Sequence, residues 1–231
     1  MNKNKESTLI AIEGTDGSGK TSQFEILKNK LKKQGFNFRT LDFPQYDRNS
    51  SYFIKRYLNG DYGNLDEVTP RQASLLYALD RFDVKNRMKD WLSQELIVLC
   101  NRYVYSNMAH QAAKIDSPSK RDEFLDWIYR LEYEVLGHPE PDLSLFLKVP
   151  AEKAQDLGNK KPESRRSYVN GKEQDIHEES LEHLKKAKNV YGTLVKNNSE
   201  FKMINCLKGG ELISKEEIHK KVWGAVDKFL T

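Results

Sequence analysis

Two cysteines are too few for a disulfide framework in a chain of 231 residues. Cys100 and Cys206 each close an apolar run, which reads as buried reduced thiols. No apolar run approaches the roughly 18 residues of a membrane span. The opening residues MNKNKESTLIAIEG hold only a four-residue apolar run, too short for a secretory leader. A dominant charge sign is also missing, because 38 basic residues meet 34 acidic ones for a net charge of +4. Nucleic-acid binders gather positive charge in a stripe or tail. The densest basic stretches here, Lys160-Lys161 and Arg165-Arg166, are too short to follow a duplex and suit a small anionic ligand. No repeat, low-complexity tract or Pro/Gly/Ser linker divides the chain. These absences point to one cytoplasmic domain over 1–231, with neither a nucleic-acid nor a membrane partner.

The hydrophobic residues, 38% of the chain, fall in compact runs that alternate with amphipathic stretches. Runs at 8–13, 38–43, 96–100, 143–149 and 202–206 are apolar at successive positions, the pattern of strands covered on both faces. Helical spacing is read at 19–34, 49–59, 69–93, 105–115, 118–136, 176–198 and 214–230. Thr69-Pro70-Arg71-Gln72 and Ser214-Lys215-Glu216-Glu217 are capping boxes, the first with proline at the opening helical position. Glu182 and Lys186 are spaced to pair on one helix face. Strand–helix alternation through the whole chain predicts an α/β fold, a five-stranded parallel sheet flanked by helices on both faces.

Gly14-Thr15-Asp16-Gly17-Ser18-Gly19-Lys20-Thr21 matches G-x-x-x-x-G-K-[ST] in full. It follows the apolar run Leu9-Ile10-Ala11-Ile12 and precedes helical spacing at Phe24, Leu27 and Leu31. Glycines let consecutive backbone N–H groups converge on phosphate oxygens. The helix beginning there adds its positive end. Lys20 supplies a mobile charge for the outer phosphates, and the Thr21 hydroxyl can ligate Mg²⁺. A glycine-rich turn with an exposed lysine is the plainer alternative. The context favours a nucleoside triphosphate and the three-layer P-loop NTPase-type fold.

The second ligand must be read elsewhere. A GTPase needs Asn-Lys-x-Asp, and the nearest stretch, Asn159-Lys160-Lys161-Pro162, lacks the Asp. Asp42-Phe43-Pro44-Gln45-Tyr46 follows the second strand, where ligands of open parallel sheets sit. It walls a base pocket or simply closes the strand with core aromatics. Tyr77 and Arg81, four apart on the long helix, share a face and suit a planar base, though such pairs also mark partly buried surfaces. Arg102 at the end of the third strand could clamp a phosphate in bidentate fashion. The basic segment from Lys160 to Tyr168 is either a mobile lid carrying Arg165 and Arg166 or a solvated loop.

The stretches EGTDGSGKTSQ, DFPQY, LLYALDR, NRYVYSN-x-AHQ, LGHPEPDL and RRSY…DIHEESL occur together and in order over about residues 8–195. In this combination the chain resembles the thymidylate kinase family, P-loop nucleoside monophosphate kinases that phosphorylate dTMP from ATP. The resemblance implies that Gly14, Thr15, Asp16, Gly17, Ser18, Gly19, Lys20 and Thr21 cradle ATP, and that Asp16 also reaches the 3′-hydroxyl of dTMP. It places Tyr77 on the thymine face and Arg81 at the base edge, with Asn107 and Gln111 as polar positions around the base. Phe43 and Tyr46 would line the sugar and monophosphate side, with Pro44 near the base methyl. Arg102 would hold the acceptor phosphate near the donor. Arg165 and Arg166 match lid arginines of bacterial members, in a lid at about 157–175, and Glu178 an acidic residue near metal and phosphates. Gly17 stands where some eukaryotic members carry arginine, in keeping with the lid arrangement. ATP, Mg²⁺ and a homodimer are the implied cofactors and assembly.

Two positions depart from the family pattern. The third-strand motif Asp-Arg-Tyr is here Asn101-Arg102-Tyr103, and an amide is a poorer Mg²⁺ ligand than a carboxylate. Reduced metal affinity is therefore expected at Asn101. His110 stands where the family has an aromatic that crowds the sugar 2′ position, so weaker discrimination against ribose is expected. A kinase of another pyrimidine monophosphate or of a nucleoside, and a non-catalytic nucleotide-binding regulator, are the alternatives.

Overall fold

The computed structural model describes residues 7–159 and 180–230. Five parallel strands, β1 (Thr8–Glu13), β2 (Phe38–Asp42), β3 (Ile97–Asn101), β4 (Leu143–Lys148) and β5 (Phe201–Asn205), form one sheet in the order β2-β3-β1-β4-β5. Within one or two residues these are the five runs read from the sequence. β1 lies at the centre and splits its side chains between two cores, as the two-residue strand period requires. Leu9 and Ala11 meet Met88 of α3 (Pro70–Ser93), Met108 of α4 (Val104–Ala112) and Tyr191 of α7 (Leu181–Asn197). Ile10 and Ile12 meet Leu27 of α1 (Lys20–Lys33) and Val222 of α8 (Lys215–Leu230).

The expected burial on both faces holds for β1, for β3 and for all of β4 except Lys148. It fails at the edges, where Arg39 and Thr40 on β2 and Lys202 and Met203 on β5 are exposed, because an edge strand has a neighbour on one side only.

Thr69 Oγ1 accepts from Gln72 N at 3.3 Å while Gln72 Oε1 accepts from Thr69 N at 3.0 Å, and Ser214 and Glu217 repeat the exchange at the start of α8. Lys186 pairs with Glu182 at 3.1 Å.

Four stretches differ from expectation. The helix read at 49–59 opens with a 3₁₀ turn, Asn49–Ser51, before α2 (Tyr52–Leu58). The helix read at 118–136 is α5 (Pro118–Tyr129) followed by a π-helical stretch, Arg130–Val135. α6 (Ala151–Asn159) and a hairpin of β6 (Leu207–Lys208) and β7 (Glu211–Leu212) were not read at all. The hairpin turns on Gly209 and Gly210 at φ +59° and +83°, the left-handed pair that a two-residue turn requires.

Candidate active site

All five strands run the same way, so their carboxyl ends open on one edge of the sheet. The loop after β1 lies there. Gly17 and Gly19 have φ of +74° and +85°, and Gly19 caps α1 with no side chain on the first-turn amides. A helix start of this kind favours an anion. A Cβ on Gly17 would lie 1.7 Å from the Ala154 carbonyl oxygen, because α6 crosses the loop at that point. This gives a steric reason for glycine where an arginine was the alternative. Lys20 is buried, and its Nζ donates to Thr15 O at 2.7 Å. Among the described residues Ser18 Oγ is buried without a partner, and Thr21 is exposed.

Arg102 follows β3 with φ +65°. Its backbone N–H donates to Ile12 O at 2.9 Å, and Nη1 donates to Gly14 O and Ser106 Oγ, both at 3.1 Å. Nη2 is paired with Asp16. Burial alone would lower the Arg102 pKa, but Asp16 together with Tyr191, Glu13 and Tyr46 outweighs it and lifts the pKa above the ordinary value. Arg102 is therefore a fixed cation.

Two cavities meet at this arginine. One of about 1760 Å³ runs along Asp16 to Gln23 to an apolar end at Leu157, Leu212, Ile213 and Ile218. The other, of about 580 Å³, is lined by every residue expected around a second substrate, namely Asp16, Phe43, Pro44, Tyr46, Tyr77, Arg81, Arg102, Asn107, His110 and Gln111. Asp16, Phe43, Pro44, Tyr46 and Arg102 line both.

The floor of the smaller cavity is a charged network that sequence reasoning missed. Arg81 is almost fully buried and bonds Glu132 through Nε, at 3.1 Å, and through Nη2. Glu132 also accepts from Asn107 Nδ2 at 2.9 Å and contacts His138 Nδ1 at 2.8 Å. Burial alone would raise the Glu132 pKa, but Arg81 and His138 outweigh it and hold it at about 2. Glu132 lies in the π-helical stretch, a deviation often found at functional sites. Among the described residues, Asn107 Oδ1 and both amide atoms of Gln111 are buried without a protein partner. Buried polar atoms are normally paired, so these three mark where a polar ligand would bind.

Asp80 accepts from Gln45 N at 2.8 Å and Ser50 Oγ at 2.6 Å. It thereby ties the loop carrying Phe43, Pro44 and Tyr46 to the helix carrying Tyr77 and Arg81. Tyr77 meets Tyr57 edge-on, ring centroids 6.4 Å apart.

His110 Nδ1 lies 3.4 Å from His183 Nε2, and its Nε2 is 3.5 Å from Arg102 Nη1. Burial and the Arg102 charge push the His110 pKa well below its ordinary value, and burial with Lys114 lowers that of His183 to about 4. Both rings are neutral near neutral pH. Glu13, buried beneath the loop, accepts from Tyr103 N at 2.8 Å and from Ser106 Oγ; burial raises its pKa. Asn101 donates through Nδ2 to Asp42 Oδ1 at 2.9 Å. Arg165, Arg166 and Glu178, and the lid apart from 157–159, lie outside the described residues.

The family model described as thymidylate kinase matches residues 12–218. A thymidylate kinase from Mycobacterium tuberculosis is 32% identical over 187 residues, covering 80% of this chain and 85% of the relative. One from Dictyostelium discoideum is 28% identical, covering 92% and 83%. In fold, the chain superposes on the thymidylate kinase of Candida albicans with a TM-score of 0.72 at 22% identity, covering 96% of this chain and 92% of that one.

Proposed function

The chain belongs to the thymidylate kinase family, and from that premise and the geometry of the two cavities we infer that it transfers the γ-phosphoryl group of ATP to the phosphate of dTMP, giving ADP and dTDP. It is a phosphotransferase. The observation that carries this reading is the junction of the cavities: Arg102 and Asp16 line both, so a donor on the phosphate loop and a nucleotide acceptor would meet end to end at one guanidinium.

An oxygen of the acceptor phosphate attacks the γ-phosphorus as the bond to the bridging oxygen breaks, and ADP leaves with the electron pair. The acceptor is already an anion near neutral pH, so the step needs no strong general base. Catalysis is positioning and charge neutralisation. Lys20 and the loop amides hold the donor, Arg102 the acceptor phosphate, and Arg165 and Arg166 act from the lid. The apolar end at Leu157, Leu212 and Ile213 takes the donor's base. In the other cavity Arg81, held by Glu132, is a fixed donor that suits the O4 carbonyl of thymine. Asn107 and Gln111 offer polar atoms to the base, Tyr77 stacks on it, and Phe43, Pro44 and Tyr46 wall the sugar and methyl side. Asp16 reaches the 3′-hydroxyl and His110 closes the 2′ side.

Magnesium fits the donor set. The Thr21 hydroxyl, the Asp42 carboxylate and the unpartnered Asn101 Oδ1 are all oxygen donors beside the loop, and Glu178 completes the set from sequence. No group of three or more His, Cys, Asp or Glu suited to a metal occurs among the described residues. This suits an ion held mainly by phosphates and water. When bound, it neutralises charge on the β- and γ-phosphates.

The reading includes one domain over 1–231 with a lid at about 157–175, a cytoplasmic location that two buried unpaired thiols suit, and a homodimer. For the dimer, Leu75, Leu79 and Phe82 form an exposed apolar stripe on α3, a face that a second copy would cover. An ADP-release assay with Mg·ATP against dTMP, dUMP, UMP, dCMP, dGMP and AMP tests the activity. Strong preference for dTMP is expected, and no turnover on any monophosphate while ATP still binds overturns the reading.

A further inference from the structure

Asp42 and Asn101 close neighbouring strands. They are register partners at the carboxyl ends of β2 and β3, and both line the cleft with Gly19, Lys20 and Thr21. The Asn101 amide is committed at one end, its Nδ2 donating to Asp42 Oδ1 at 2.9 Å. Its other end is not: among the described residues Oδ1 is buried with no protein partner, in a residue only 5% exposed. Asp42 is exposed to the cleft, with the Asn101 amide as its one hydrogen-bond donor among the described residues.

A carboxylate there would face the triphosphate that the loop is read to hold. Two anions so close repel unless a cation or its hydration shell stands between them. A buried amide oxygen lacking a donor makes the same demand, since leaving it unsatisfied is costly. The two acceptors sit side by side because parallel pairing sets residues 42 and 101 opposite each other. Asn101 by itself would be a weak partner for a hard cation, whereas Asp42 brings the missing charge.

We propose that Asp42 supplies the acidic oxygen facing the hydrated Mg²⁺ of bound Mg·ATP, the carboxylate that the third strand lacks, and that Asn101 is its positioning residue. The Asn101 Nδ2 fixes one carboxylate oxygen and leaves the other for the cation's hydration shell, from which Asn101 Oδ1 also accepts. The proposal rests on the reading of the loop as an ATP site.

Calorimetric titration of the full chain with ATP, with and without Mg²⁺, tests it apart from turnover. The wild type should bind Mg·ATP more tightly than metal-free ATP. Asp42→Asn should lose about tenfold or more of that metal-dependent gain, the range for groups that orient a metal's surroundings. Its metal-free ATP affinity should be equal or higher, since a negative charge beside the phosphates is gone; this also reports that the variant folds. The double variant Asp42→Asn/Asn101→Asp, which moves the carboxylate across to β3, should regain most of the gain. An undiminished gain in Asp42→Asn overturns the proposal, as does an equal loss of affinity with and without metal. A wild type that binds no ATP under either condition overturns the reading beneath it instead.

Discussion

Glu132→Gln removes the strongest negative charge acting on Arg81, beside which Asp80 is a weaker one. Arg81 is 3% exposed and Glu132 fully buried, so the variant leaves a guanidinium only weakly compensated away from water. It also places an amide N–H among donors from Arg81 and Asn107. Breaking a buried pair from one side costs about 3–5 kcal/mol. For a chain of this size each kcal/mol moves the melting temperature by about 2–4 °C, so a fall of about 6–20 °C is expected. The pH dependence follows from the folded pKa of about 2 against an ordinary 4.5. A depressed carboxyl stabilises the fold above its unfolded pKa and loses that contribution as pH falls from about 4.5 towards 2. The gap between wild type and variant should therefore be full near neutral pH and narrow through that window. Differential scanning calorimetry at several pH values measures both. Arg81→Met/Glu132→Leu should recover most of the lost stability, because an apolar pair of similar volume often replaces a buried ion pair without loss, yet bind dTMP poorly. A Glu132→Gln protein melting within about 2 °C of wild type near neutral pH would refute the reasoning.

Tyr77→Leu should weaken dTMP binding by about 1–3 kcal/mol, the worth of stacking a base on an aromatic ring; unchanged affinity by titration would remove Tyr77 as the platform. Gly17→Ala combines a left-handed φ with a clash against the Ala154 carbonyl, strain of about 1–3 kcal/mol. ATP affinity should fall about tenfold or more, and wild-type affinity would show that α6 does not rest on the loop in solution.

The central strand and the phosphate loop were legible because their signals are local: a short apolar run, a glycine motif and a helix start, all within 8–31. Tyr77 with Arg81 was found for the same reason, the two lying one helical turn apart, whereas Asn107 and Gln111 came from the family resemblance alone. Glu132 was not, since it sits in an ordinary amphipathic stretch and reaches Arg81 only through a π-helical turn that carries no sequence mark. The Asp42–Asn101 contact depends on the register of two strands far apart in sequence, and the His110–His183 contact on how α7 packs against α4. The exposed faces of β2 and β5 were missed because strand order, not composition, decides which strands are edges. Only Gly209-Gly210 carried a readable turn signal that went unused.

Arg102 is held from both sides. Its backbone sits at φ +65°, pinned to Ile12, and its guanidinium is tied to Gly14, Ser106 and Asp16. Immobilising a long, rotamer-rich side chain typically costs about 0.5–1.5 kcal/mol on association. Here folding has already absorbed that entropy, and the backbone strain along with it. A phosphate arriving at the junction meets a charge that has no search left to make. Its on-rate should then depend on ionic strength and diffusion rather than on side-chain rearrangement.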